Sequence, residues 1–152
     1  MPRDYGQMYG YRSGLEETVA AQLTALSIPY EYEAVQYDYP KKQKVKASLT
    51  EDMANPITGI YLILHYTPDF LIIKKSGAGM VIETKGRFLA ADREKIRILK
   101  KTRPWLDFRM IFTNPKARFS KTNTKTYADF CEQLGIPYAK GKIPDEWLKE
   151  IL

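Results

Sequence analysis

The amino-acid sequence predicts an α/β fold, a mixed central sheet of about five strands flanked by helices. Two apolar runs, at 70–73 and 80–82, enclose turn-forming residues at 75–79, a pattern typical of a β-hairpin. The segment 106–112 ends in a nearly continuous apolar run, as expected for a central strand covered on both faces. Helical periodicity before and after the hairpin predicts the flanking layers.

Composition and charge limit the class of protein. The chain has 152 residues, enough for one domain with its own core. It contains no apolar run that could span a membrane and no secretory segment, so we expect a cytoplasmic protein. The single cysteine, Cys131, and the single histidine, His65, exclude an internal disulfide and multi-cysteine or multi-histidine zinc sites. The net charge of +6 favours a polyanionic partner.

The first helix and the strands before the hairpin follow from local signals. Ser13 and Glu16 have the spacing of a capping box, in which Glu16 returns to the Ser13 amide, and Pro29 stops the helix. Residues 28–39 alternate as one continuous strand, and 60–66 form the strand that leads to the hairpin.

The other elements are predicted in the same way. His65, near the end of its strand, is interpreted as a packing or hydrogen-bonding residue rather than a general base. A helix over about 90–103 ends at Pro104, and a short helix from 127 is closed by Gly135. Cys131 lies on the apolar side of that short helix, so we interpret it as a core residue rather than a nucleophile.

The hairpin brings two acidic residues together. With its turn near Ser76, antiparallel pairing places Asp69 opposite Glu83. Like charges facing each other are destabilising, and a divalent cation such as Mg²⁺ would neutralise them. Lys85 adds an ammonium on the side of Glu83, where it would lower the pKa of an attacking water or offset charge developing on a phosphate. The alternative is a polar strand face with a surface ion pair, but Pro68 before Asp69 favours a metal-dependent phosphodiester site.

These residues resemble a known family. Pro68-Asp69 followed by Glu83-Thr84-Lys85 is similar to the pattern of the PD-(D/E)xK nuclease superfamily. A more specific set of segments resembles, in the same order, the endonuclease I family of the T-odd coliphages, which are Holliday-junction resolvases. These segments are Arg12-Ser13-Gly14-Leu15-Glu16, Tyr66-Thr67-Pro68-Asp69-Phe70, Glu83-Thr84-Lys85-Gly86, Phe130-Cys131-Glu132, Ile143-Pro144 and Glu146-Trp147. The resemblance extends from Arg12 onward and leaves 40–59 as an insertion.

The resemblance implies a restriction-endonuclease-like core and an intertwined homodimer that exchanges its N-terminal elements. It implies that Asp69 and Glu83 bind Mg²⁺, with Mn²⁺ as a substitute and the Thr84 carbonyl as a further ligand, and that Lys85 is catalytic. The family's glutamate at the position of Glu16 is a third carboxylate of the metal site. Helix capping and catalysis across the dimer therefore compete for Glu16, and both roles stay open.

Basic residues supply candidates for DNA contacts. We expect the N-terminal arm, 1–11, to be mobile, and 12–152 to form the single nuclease domain. The basic residues lie in this arm, at the start of the domain, in the inserted segment 40–59, on the helix after the hairpin, and in the loop after residue 112. Each group is equally compatible with a solvated surface. We expect the insertion to form a longer bridge between subunits or an extra hairpin. The candidates are Arg3, Arg12, Lys41, Lys42, Lys44, Lys46, Arg93, Arg97, Lys100, Lys116, Arg118 and Lys121.

The predicted function is metal-dependent hydrolysis of branched DNA, chiefly four-way junctions, by paired symmetric nicks from a dimer in the host cytoplasm. Two alternatives are kept. A nuclease of the same superfamily that acts on linear duplex or mismatches would have identical local chemistry. A non-catalytic DNA-binding module is disfavoured because Asp69, Glu83 and Lys85 are all present.

Overall fold

The structure is a computed structural model that describes residues 11–43 and 60–152, and these residues form seven strands and four helices. In chain order the elements are α1 (Gly14–Ala25), β1 (Glu31–Tyr32), β2 (Tyr37–Gln43), β3 (Ile60–Tyr66), β4 (Phe70–Ile73), β5 (Gly79–Lys85), α2 (Ala90–Thr102), β6 (Phe108–Phe112), α3 (Tyr127–Leu134), β7 (Tyr138–Lys140) and α4 (Asp145–Ile151).

Five strands form one mixed sheet, which confirms the predicted architecture. Their order is β1-β4-β5-β6-β7, with antiparallel pairing from β1 to β5 and parallel pairing from β5 to β7. The parallel strands are joined through α2 and α3, because a parallel connection needs a crossover. The carboxyl ends of β5 and β6 therefore lie at the same edge of the sheet.

Helices on both faces of the sheet bury two apolar clusters. Met110 and Phe112 of β6 pack with α2 and α3, whereas Ile111 between them packs with α1 and α4. All of β6 is buried, as predicted for a central strand. Burial of each such side chain contributes about 1.5–3 kcal/mol. Cys131 is fully buried in the first cluster, and burial raises the pKa of its thiol to about 12, which confirms it as a core residue.

The first helix starts at the predicted residue with one difference in its cap. Ser13 Oγ accepts a hydrogen bond from the Glu16 amide at 3.2 Å, as in a capping box. The predicted return bond to the Ser13 amide is not the one formed, because Glu16 Oε2 accepts the Arg12 amide at 2.9 Å. The Glu16 carboxylate thus caps the helix by accepting the amide of the residue before Ser13. The predicted end of α3 is confirmed as well. Gly135 has φ 68°, the left-handed conformation that glycine favours.

The prediction of one continuous strand over 28–39 is wrong. Glu33 has φ 49°, a left-handed conformation that interrupts extended backbone, and its amide donates to the carbonyl oxygen of Asp69 at 2.9 Å. Of the segment predicted as one strand, only β1 belongs to the five-stranded sheet. The chain then turns away, and β2 pairs with β3 as a separate two-stranded ribbon. Alternation of side chains does not encode a left-handed residue, so this break was not visible in the pattern.

The ribbon runs in register from Tyr37 opposite Tyr66 to Gln43 opposite Ile60. The ribbon includes 40–43 of the inserted segment, and 44–59 lie outside the described residues, so a longer bridge and an extra hairpin both stay predictions. Three candidates for DNA contacts, Arg3, Lys44 and Lys46, lie outside the described residues. No helix in the described part of the chain is long and apolar enough to cross a membrane.

Candidate active site

The hairpin has the predicted register, with Phe70 opposite Ile82 and Leu71 opposite Val81. Gly77 in the turn has φ 91°, so a glycine is required to keep this turn unstrained. Asp69 and Glu83 follow at the next pair of positions, and they are only 1% and 3% exposed. Burial, and then the charge of Asp69, raise the pKa of Glu83 well above its ordinary value. The carboxyl groups of Asp69 and Glu83 are therefore buried side by side at the end of the hairpin.

Asp69 is oriented by the strand that carries Glu83. Its Oδ2 accepts the Thr84 amide at 2.8 Å and the Thr84 hydroxyl at 2.7 Å. Its Oδ1 lies 3.5 Å from Arg12 Nη2, whose guanidinium is also 2.7 Å from Glu33 Oε1. Arg12 thus lies between two acidic side chains at the edge of the carboxylate pair.

Glu83 and Lys85 also have definite partners. The Tyr66 hydroxyl donates to Glu83 Oε2. Lys85 Nζ lies 3.4 Å from Oδ1 of Asp92, a residue in the first turn of α2. The helix that follows the strand therefore holds the lysine in place.

A cavity of about 430 Å³ opens beside these residues. Its walls contain more basic than acidic side chains, so it suits an anionic group such as a phosphate. The residues that line it are Arg12, Glu33, His65, Tyr66, Thr67, Glu83, Lys85 and Lys95.

Glu16 is adjacent to this site but does not join the carboxylate pair. Its Oε2 accepts the Arg12 amide and the Tyr32 hydroxyl, and it is only 5% exposed. Within the part of the chain that the structure describes, no three acidic, histidine or cysteine side chains are grouped so as to hold a metal. Arg12 connects the two regions, because its amide bonds Glu16 while its guanidinium approaches Asp69.

Sequence reasoning missed four residues of the cavity, Glu33, Tyr66, Thr67 and Lys95. Lys95 lies three residues after Asp92, so helical spacing directs both toward Lys85, whereas the predicted basic stripe begins at Arg93. Glu33 was assigned to a regular strand, and no local signal places its side chain beside Arg12. His65 hydrogen-bonds Asp38 through Nδ1 at 2.6 Å, consistent with its predicted bonding role.

Of the candidates for DNA contacts whose side chains the structure describes, only Arg12 lines the cavity. Arg93 donates to the Phe88 carbonyl at 2.6 Å and lies 4.0 Å from the centre of the Phe119 ring. Arg97 lies 5.0 Å from the Phe130 ring. Three basic residues of the loop after β6, Lys116, Arg118 and Lys121, are exposed. Contacts of all these residues with DNA stay a prediction.

The buried carboxylate pair beside the cavity fits a hard divalent cation. Asp69 and Glu83 provide buried carboxylate oxygens beside one another, the ligand type that Mg²⁺ and Mn²⁺ prefer. Such ions bind with one or two carboxylates and complete their coordination with water and phosphate. The adjacent cavity has room for both.

The fold and the site together indicate a nuclease: a mixed sheet whose hairpin buries Asp69 next to Glu83 and presents Glu83 and Lys85 to a cavity lined by Arg12 and Lys95. The chain matches the family model described as phage endonuclease I over residues 2–152, and it belongs to that family. It is 34% identical over 142 residues to Endonuclease I of Escherichia phage T7, covering 92% of this chain and 79% of that protein. It is 31% identical over 142 residues to Endodeoxyribonuclease 1 of Enterobacteria phage T3, covering 92% of this chain and 78% of that protein.

Proposed function

We propose that this protein is a divalent-metal-dependent endonuclease that resolves four-way DNA junctions by paired, symmetric phosphodiester hydrolysis. The buried Asp69 and Glu83 pair, next to Lys85 in a basic cavity, carries the proposal. Like charges in a buried pair are costly unless something compensates them, and a cation between the carboxylates would do so. Membership of the phage endonuclease I family supports the same reaction class.

Asp69 and Glu83 would hold Mg²⁺ or Mn²⁺, with the Thr84 carbonyl as a further ligand. When bound, the ion supplies Lewis acidity at the phosphate and activates a water molecule. The protein groups fix the geometry of the reaction. Thr84 orients Asp69 through two hydrogen bonds, and the Lys85 ammonium, held by Asp92, orients the attacking water.

Cations around the cavity would bind the scissile phosphate. Arg12 and Lys95 both line it, and neither lies on the strand that carries Glu83. Phosphate contacts from separate elements fix the position of the backbone relative to the carboxylates. Removal of water from such a site strengthens each of these interactions.

The proposal includes a homodimer in which the subunits exchange N-terminal elements, so that Glu16 of one subunit completes the site of the other. Two sites related by a two-fold axis would cut two strands of a junction symmetrically. The link from Glu16 through Arg12 to Asp69 supports a role for α1 at the site.

The direct test is cleavage of a labelled four-way junction and of a linear duplex with the same arm sequence, with Mg²⁺ and with chelator. We expect paired, Mg²⁺-dependent cuts near the branch point of the junction and no comparable cutting of the duplex. Glu83→Ala should abolish cleavage. Glu146→Ala, which removes an exposed glutamate of α4 that does not line the cavity, is the matched control and should cleave normally.

The alternatives predict different results. Equal cutting of both substrates would reject junction specificity and support a general or mismatch-acting nuclease. Tight junction binding without cutting, unaffected by Glu83→Ala, would reject the enzyme and support a DNA-binding module.

A further inference from the structure

We propose that Tyr66 is a positioning residue of this site, which orients Glu83 for the cation through its hydroxyl and supports Lys95 through its ring. The inference rests on the proposed metal-dependent function. Tyr66 has no acid–base role in that function, but it contacts two charged groups that take part in it, Glu83 and Lys95.

The hydroxyl fixes one oxygen of the carboxylate. Tyr66 is 3% exposed, and its hydroxyl donates to Oε2 of Glu83. Thr84 does the same for Asp69, whose Oδ2 takes two hydrogen bonds. Each carboxylate therefore has one oxygen fixed by the protein. The other oxygens, Glu83 Oε1 and Asp69 Oδ1, are the proposed ligands for a cation, which would replace the 3.5 Å contact of Asp69 Oδ1 with Arg12 Nη2. Hydrogen bonds to metal-binding groups orient those groups and tune the affinity of the site.

The ring supports a cation of the same cavity. Lys95 Nζ lies 4.9 Å from the centre of the Tyr66 ring, within the range of a cation–π interaction. Phe108 packs against Tyr66 with the ring centres 6.2 Å apart, which restricts the orientation of the ring. Tyr66 and Lys95 both line the cavity, so the tyrosine contacts an acidic and a basic group of one site.

The position of Tyr66 in the chain gives it this double contact. It is the last residue of β3, opposite Tyr37 in the ribbon, and only Thr67 and Pro68 separate it from Asp69. Its ring belongs to the apolar cluster beneath α2, while its hydroxyl reaches across to β5. The end of the ribbon is thereby packed against the carboxylate pair.

The test uses Tyr66→Phe, which removes the hydroxyl and keeps the ring beneath Lys95. Calorimetric titration of the DNA-free protein with Mn²⁺ should show affinity about tenfold weaker than in the wild type. In junction cleavage, the Mg²⁺ concentration for half-maximal rate should rise by a similar factor, with most of the rate recovered at saturating Mg²⁺. Tyr39→Phe is the matched control, because Tyr39 is buried in the same ribbon, at 7% exposed, and does not line the cavity.

A general loss of stability would weaken the fold without moving the Mg²⁺ midpoint, so titrations are made well below the melting temperature of each variant. Equal Mn²⁺ affinity of wild type and Tyr66→Phe, with an unchanged Mg²⁺ midpoint, would overturn the inference and leave the proposed function intact. Absence of Mn²⁺ binding to the wild type would overturn both.

Discussion

Lys95 is the basic residue of α2 whose side chain lies at the cavity. Its Nζ lies 4.9 Å from the Tyr66 ring, and it shares the cavity wall with Lys85. The stripe predicted from the sequence instead contains Arg93 and Arg97, whose guanidinium groups pack on the rings of Phe119 and Phe130. Position on the helix, rather than basic character, therefore decides which cation can meet a phosphate in the cavity.

We expect Lys95→Ala to lower kcat/KM for junction cleavage by about tenfold to a hundredfold, because a hydrogen bond to a charged group is worth about 1.5–3 kcal/mol. Single-turnover kinetics with saturating Mg²⁺ measures this change. Lys101→Ala is the control on the same helix, where Lys101 is exposed and outside the cavity. An equal loss in both variants would indicate general charge attraction and contradict a specific role for Lys95.

At the scale of elements, a charge cluster joins the hairpin, β6 and α4. Arg109 is 6% exposed, with Nε 2.8 Å from Asp107 Oδ1 and Nη2 2.6 Å from Glu150 Oε2. Lys74, at the end of β4, approaches the other oxygen of Asp107 at 2.7 Å. Burial alone would raise the pKa of Asp107, but hydrogen bonds from Arg109 and Lys74 lower it below its ordinary value.

Asp107→Asn should therefore destabilise the fold in a pH-dependent way. A folded-state pKa below the unfolded value means that Asp107 stabilises the protein above its ordinary pKa of 3.8, and that this contribution is lost as pH falls through the lower folded value. We expect a loss of about 1–2 kcal/mol at neutral pH, since Asp107 is partly exposed. Urea unfolding of both proteins at several pH values measures it.

Asp145→Asn is the control for this prediction, because Asp145 is exposed in the first turn of α4. It should change the free energy of unfolding by only a few tenths of a kcal/mol. A deficit of Asp107→Asn that stays constant down to acidic pH would contradict the role assigned to the charge.

Which elements could be predicted depended on how local their determinants are. The turn near Ser76 fixes the hairpin register, so the adjacent positions of Asp69 and Glu83 follow from neighbouring residues. The bend at Glu33 depends on a hydrogen bond to Asp69, a residue far away in sequence, and was missed. The partner of Glu16 was misplaced by one residue for a different, local reason, since the Ser13 and Glu16 spacing fits either amide.

At the scale of the whole molecule, α1 contacts the site through few groups. Glu16 and Asp69 are connected by Arg12, whose guanidinium lies 3.5 Å from Asp69 Oδ1. The same contacts would form between subunits if α1 were exchanged in a dimer, because domain swapping preserves the contacts of the exchanged element. These contacts therefore do not distinguish an α1 supplied by the same chain from an α1 supplied by the partner subunit.

Mixing subunits distinguishes the two cases. Glu16→Ala and Lys85→Ala should each be inactive alone, but co-refolding should restore part of the junction cleavage if the site combines both chains. At equal amounts, a random mixture contains about one half heterodimers, each with one intact site. Glu16→Ala co-refolded with Glu83→Ala should also recover activity, whereas Lys85→Ala with Glu83→Ala should not. No recovery in any mixture would show that each site is built within one chain.

The hairpin described above also has a consequence for the order of folding. Its pairing from Phe70 with Ile82 to Ile73 with Gly79 is the most local of the five-stranded sheet, whereas β6 and β7 must wait for crossovers to close. The repulsion between Asp69 and Glu83 consequently falls on an early step of assembly. Under the proposed function, a cation held by this pair would also relieve that repulsion, so Asp69 and Glu83 would bear on assembly of the hairpin as well as on hydrolysis.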